Sequence, residues 1–376
     1  MAVFLGGDGI EIHTPHTLAP HHRNAIQKIL CSLKNRKNLL LDTPSRSGKT
    51  LSILCAVLGW RESPALREKT RHYTTPKALP RVIYTAKTHC QLEHTIRELK
   101  KTQYRPRTCI VGSRKQLCLH PGTCQWCSQA KRVRDTGHRV DNVMGMEDLV
   151  VFAKKNSLCP HAVTRECLPD AELILLTHAH FFSRADRLDL EDHIDFAGAV
   201  VVVDEAHHMD DVCWEHSLAE IETEDLEKAA HCIENISVQK ENEKVLFVSN
   251  AIRKIAEETE KIPLSGALLV FSTQPIHEIL RAAGIASSGA GTFDSLLSET
   301  IPFLDQAEKL PVMELKRFLR TAFSHCAQQS TSTKTIRVEK ENGKTAICCL
   351  CTSTAHFIAS LLGALGVSSM IFASGF

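Results

Sequence analysis

Five short apolar runs, each closed by a polar or turn-forming residue, constrain this chain more than any other feature: "NLLLDTP" (38–44), "RVIYTA" (81–86), "AELILLTH" (171–178), "AGAVVVVDEAHH" (197–208) and "VSSMIFAS" (367–374). Those at 81–86 and 197–208 carry β-branched runs, and none of the five alternates apolar with polar. That pattern predicts parallel strands buried on both faces. Between them run helical patterns. Residues 20–35 place Ile26, Ile29, Leu30 and Leu33 on one face, and "KTLSILCAVLGWRE" (49–62) is an apolar helix. Strands alternating with helices predict a doubly wound α/β sheet.

Two stretches interrupt that alternation. Residues 105–168 are basic, cysteine-bearing and poor in strand pattern, which predicts a small metal-organised insert. Residues 210–340 are charge-rich and predict a helical insert, after which "QQSTSTKT" connects to a sheet resuming at "TAICCLCTSTAH". A chain of 376 residues with 43% hydrophobic and 23% charged residues suits a globular protein of one large core with insertions, or of two to three domains. Its net charge of +2 excludes a global basic signature, so any nucleic-acid surface must be local. No apolar run approaches the roughly 18 residues of a membrane span, and the first residues lack the pattern of a secretory leader. The 15 cysteines are therefore expected as thiols or metal ligands rather than disulfides.

"LLLDTPSRSGKT" (39–50) couples a strand to a helix through a loop ending in Gly-Lys-Thr. In such a loop, Ser47, Gly48, Lys49 and Thr50 meet nucleotide phosphates. Backbone N–H groups wrap the oxygens, Lys49 pairs with them and Thr50 reaches Mg²⁺. Arg46 leaves two readings open. It either crowds a backbone shape that glycine adopts more cheaply, at ~1 kcal/mol or more, or points outward. Further along, "VVVVDEAHH" ends an apolar strand in Asp204 and Glu205, which suit a Mg²⁺-water ligand and a residue that polarises the attacking water. An ordinary strand with a solvated acidic turn is the alternative, and the ordered pair of motifs favours ATP with Mg²⁺.

"CLHPGTCQWC" followed by "LCP" gives Cys118, Cys124, Cys127 and Cys159, whose four thiolates suit a [4Fe–4S] cluster or a Zn²⁺ site. Decay to ordinary thiols is the third possibility. Arg105, Arg107, Arg114, Lys115, Lys131, Arg132, Arg134 and Arg139 concentrate in the same region. They form either a phosphate-binding surface or a solvated charged face. His178 and His180 fall at alternate positions of a strand end, with no third ligand to make a metal site.

In order, "TPSRSGKTLSILCAVLGWRE", "VIYTAKTHCQL", "YRPRTCIVGSRKQLCLHP", "SLCPHAVTRE" and "VVVVDEAHH" resemble the iron–sulfur superfamily 2 DNA helicases of the xeroderma pigmentosum group D type. The resemblance implies a RecA-like P-loop sheet bearing an iron–sulfur insert and a helical arch. It implies ATP-driven 5′ to 3′ movement on single-stranded or forked DNA, in telomere maintenance and DNA repair in the nucleus. Motor domain 1 is then expected over 1–104, 169–209 and 341–376, the cluster insert over 105–168 and the arch over 210–340. The second motor domain is expected to be absent, so the chain alone is not expected to unwind DNA. The resemblance favours iron–sulfur over zinc, although Gly137 and His138 stand where one ligand is expected, with Cys124 or His138 as substitute. It assigns Lys87, Thr88 and Gln91 to DNA contact, Asp204, Glu205 and His207 to the acidic box, and Ser374 and Gly375 to coupling. A catalytically silent DNA- or protein-binding module on the same scaffold is the competing expectation.

Overall fold

The computed structural model describes residues 2–5, 10–44, 48–71, 79–119, 126, 143–191, 193–240, 243–262, 269–272, 276–285, 290–326, 333–339 and 343–375. Two compact units divide the chain. One comprises residues 1–209 and 362–376, the other 210–361. The strands of the first unit up to that division are β1 (Ala2–Leu5), β2 (Glu11–Thr14), β3 (Leu39–Thr43), β4 (Val82–Ala86), β5 (Thr108–Ile110), β6 (Leu173–Thr177) and β7 (Val200–Asp204). The second unit contributes β8 (Leu218–Glu222), β9 (Leu269–Ser272), β10 (Thr333–Glu339) and β11 (Thr345–Cys351). The chain then re-enters the first unit with β12 (Ser369–Gly375).

Six of these strands form one sheet in the order β3-β12-β7-β4-β6-β5, every pairing parallel. Every residue of β4, β6 and β7 is buried, as strands covered on both faces require. Helix α1 (Pro20–Asn35) turns Ile26, Ile29, Leu30 and Leu33 into the core, begins with proline and stops at Arg36 in the left-handed conformation. Helix α2 (Lys49–Glu62) is buried almost all round from Ser52 to Arg61, which explains its lack of a polar face. Helix α3 (Pro64–Arg71) follows, and α4 (His89–Lys101) buries Leu92, Thr95, Ile96 and Leu99. This is the expected α/β architecture, a RecA-like sheet.

The region expected to be a separate insert is partly built into this core. β5 forms the sheet edge beside β6, and Leu117, Met144, Leu149, Leu158 and Val163 join the same apolar cluster as α1 and α2. Three residues, Thr108 to Ile110, are too few to show a period, so the strand is hidden in the sequence. Helices α5 (Arg114–Leu117), α6 (Met146–Lys155) and α7 (Pro160–Cys167) lie on either side of residues outside the described set.

The second unit has its own core, drawn from the helices at Thr223–Lys240, Glu243–Glu260, Ala290–Thr300 and Gln306–Cys326 packed around Ile221, Ile347 and Cys349. It is more than helical. A four-stranded antiparallel sheet, β8-β11-β10-β9, runs through it. The strand "TAICCLC" was expected to rejoin the parallel sheet at residue 341. Instead it is β11, paired antiparallel with β10 from Thr333↔Cys351 to Glu339↔Thr345, and the parallel sheet resumes only at β12. A short connection closes an antiparallel pair locally, whereas a return to a parallel sheet demands a long crossover.

Candidate functional site

The described side chains with most chemistry gather at the carboxyl ends of β3, β7 and β12, where ligands sit on open α/β sheets. Gly48 caps α2 with φ of +79°, a left-handed geometry that favours glycine, and a Cβ there would meet the His22 imidazole Nε2 at 3.2 Å. No side chain caps α2 and no acidic residue occupies its first turn. Its leading N–H groups and positive dipole end are thus left for an anion. Ser45, Arg46 and Ser47 lie outside the described residues.

Lys49, at the first turn of α2, reaches across to the acidic strand end. Its Nζ lies 3.0 Å from Asp204 Oδ1 and 3.1 Å from Glu205 Oε1. Burial works to lower the lysine's pKa, but the two carboxylates outweigh it and hold Lys49 above the usual lysine value of 10.5. Glu205 can approach because its backbone turns left-handed (φ +55°) directly after β7, an uncommon state for a residue with a side chain. Its N–H donates to Asp204 Oδ1 at 3.0 Å, which fixes that carboxylate against its own turn. His207 Nδ1 stands 3.4 Å from Glu205 Oε2 and 3.4 Å from Ser374 Oγ on β12. The acidic box and the Ser374–Gly375 strand end are therefore adjacent.

A hydroxyl that sequence reasoning missed completes this arrangement. Tyr84, fully buried in β4, donates to Asp204 Oδ2 at 2.7 Å. A tyrosine among apolar strand residues is the only trace of this in the sequence. Thr50 and Asp204 offer hard oxygen donors beside a helix N-terminus, a donor set that fits Mg²⁺ with a polyphosphate.

The proposed DNA residues follow β4. Thr88 caps α4, its Oγ1 accepting from Gln91 N at 3.3 Å while Gln91 Oε1 accepts from Thr88 N at 3.0 Å. This reciprocal cap gives both residues a local task at the helix start, and Lys87 beside them is exposed. His178 and His180 do not alternate on a strand end as expected. They open the short helix α8 (His178–Phe182), where His178 Nδ1 meets Thr85 Oγ1 at 3.0 Å and His180 Nδ1 meets Thr177 Oγ1 at 2.7 Å. Burial of His178 lowers its pKa to about 4, against smaller opposing contributions from Asp204.

Of the four cysteines, Cys118 and Cys159 are buried at the end of α5 and the start of α7, two helices that touch. Cys124, Cys127 and the alternative ligand His138 lie outside the described residues. Among the described residues no group of three or more His, Cys, Asp or Glu side chains is placed to hold a metal ion.

A parallel six-stranded sheet, a glycine-led helix and strand-end carboxylates around one lysine are the arrangement expected of a P-loop nucleotide-binding domain. The DEAD_2 family matches residues 84–125 and 121–226. A regulator of telomere elongation helicase 1 homolog from Arabidopsis thaliana is 26% identical over 361 residues, 80% of this chain and 34% of that protein. The Homo sapiens regulator of telomere elongation helicase 1 is 25% identical over 278 residues, 61% of this chain and 23% of that protein. A solved structure titled "XPD_Helicase" matches with a TM-score of 0.48 and 16% identity, covering 95% of this chain and 58% of that one. The family match and these relatives make the chain similar to DNA helicases over much of its length. The chain spans about a third of the length of the first of these curated relatives.

Proposed function

We propose that this chain carries the ATP-binding site of a DNA helicase that moves 5′ to 3′ on single-stranded or forked DNA, in telomere maintenance and DNA repair in the nucleus. The observation that carries the reading is Lys49 between Asp204 and Glu205 at the N-terminus of α2. In this reading Gly48, Lys49 and the first N–H groups of α2 hold the phosphates, and Lys49 leaves the carboxylates to do so. Thr50 and Asp204 hold Mg²⁺, which supplies charge neutralisation at the phosphates when bound. Glu205, released from Lys49 and oriented through His207, accepts a proton from the attacking water. Ser374, in contact with His207, carries the change of occupancy into β12.

Lys87, Thr88 and Gln91 are proposed to meet the DNA backbone, with the exposed Lys87 making the charged contact and the Thr88–Gln91 cap holding the loop. Cys118, Cys124, Cys127 and Cys159 are proposed as ligands of a [4Fe–4S] cluster, which would tie α5 to α7. The names of the curated relatives support the telomere role; direction of movement and nuclear location follow from the resemblance.

The test is ATP hydrolysis with and without single-stranded DNA, by the protein and by Glu205→Gln. Loss of one group that handles the attacking water should cost about 10²-fold or more in turnover while leaving ATP binding intact. DNA binding indifferent to ATP, with no hydrolysis in either protein, would instead favour a silent binding module.

A further inference from the structure

Asp204 is held from two sides, and only one of them belongs to the acidic box. Oδ1 takes the Glu205 N–H and the Lys49 ammonium. Oδ2 takes the Tyr84 hydroxyl at 2.7 Å, from the neighbouring strand β4. The Tyr84 side chain is wholly buried, so no water competes for that bond. One hydroxyl from the neighbouring strand therefore holds the cation-side carboxylate.

We infer that Tyr84 is a positioning residue, which fixes the Asp204 carboxylate in register for Mg²⁺. The inference rests on the nucleotide site proposed above. Its physical basis is directional. A carboxylate with one oxygen fixed by a short hydrogen bond cannot rotate about its Cβ–Cγ bond, so its free lone pairs point one way.

The test is the Mg²⁺ dependence of nucleotide binding, read with a fluorescent ATP analogue on the full chain, for wild type, Tyr84→Phe and Lys49→Ala. Tyr84→Phe keeps the ring and removes only the donor. It should raise the Mg²⁺ concentration needed for half-maximal binding by about tenfold, the scale for losing an outer-shell partner of a metal ligand, and leave binding in EDTA unchanged. An unaltered Mg²⁺ requirement in Tyr84→Phe, alongside loss of binding in Lys49→Ala, overturns the positioning role and leaves the nucleotide site standing. Binding indifferent to Lys49→Ala overturns the site itself. Should Tyr84→Phe fail to fold, 3-fluorotyrosine at position 84 replaces it. Its ¹⁹F resonance should shift on adding Mg²⁺ with nucleotide and not with nucleotide in EDTA; a resonance blind to Mg²⁺ overturns the inference.

Discussion

Replacing Lys49 with methionine should destabilise the first unit even with no nucleotide in solution. The ammonium lies 3.0 Å from Asp204 and 3.1 Å from Glu205, and the Lys49 and Asp204 side chains are only 10% and 9% exposed. At an effective dielectric near 20, one such pair is worth about 5 kcal/mol before desolvation is counted. Removing one partner of a buried pair costs about 3–5 kcal/mol, because the remaining charge stays buried. Glu205, 29% exposed, can turn toward water, which places the loss at the lower end, about 3 kcal/mol. The assay is urea unfolding followed by emission of the buried Trp60, with Trp126 and Trp214 changed to phenylalanine. The triple variant Lys49→Met, Asp204→Asn, Glu205→Gln should recover most of the loss, since neutral amides have no stranded charge. A loss below about 1 kcal/mol, within the range of an exposed ion pair, or a triple variant no better than the single one, would refute this reasoning.

Three further outcomes follow from the same geometry. Because the folded Lys49 pKa is raised, its contribution should be fully present below the unfolded value of 10.5 and lost only as pH rises through the folded value, so the difference between wild type and Lys49→Met should persist at neutral pH and shrink in strong alkali. Glu172, bridged to the buried Arg61 at 3.0 Å, has a pKa held below 4.5 by the Arg107 N–H and the two arginines against the opposing pull of burial; Glu172→Gln should cost about 1–3 kcal/mol at pH 7, with the difference disappearing as pH falls below 4.5 in acid-unfolding titrations. His178, lowered from 6.5 to about 4 chiefly by burial, binds its proton more readily unfolded, so wild type should lose on the order of 3 kcal/mol as pH falls across that window, and His178→Gln should lack this part of the loss.

The sequence made the site's frame legible because its signals are local. A five-residue apolar run needs no partner to be read as a buried strand, and α2 begins and ends where "KTLSILCAVLGWRE" does. Lys49, Asp204 and Glu205 were paired by motif order alone, and the parallel sheet brings them within hydrogen-bond reach. What escaped is non-local. Tyr84 acquires its role only because β4 lies beside β7, a neighbour relation that no spacing records. β11 went to the wrong sheet because apolar strands look alike whether the partner is parallel or antiparallel. His178 and His180 were read as a strand continuing, whereas the backbone turns into α8 at His178. Cys124, Cys127, Ser47 and Arg46 lie outside the described residues.

The central claim is that Gly48, Lys49, Thr50, Asp204 and Glu205 form one phosphate site. A crystal structure of the protein with Mg²⁺ and ADP tests it most directly. The account predicts the β-phosphate against the first N–H groups of α2, with Lys49 Nζ drawn from its 3.0 Å contact with Asp204 onto the phosphate oxygens. Nucleotide bound elsewhere, or Lys49 still held between the two carboxylates with phosphate present, would contradict it.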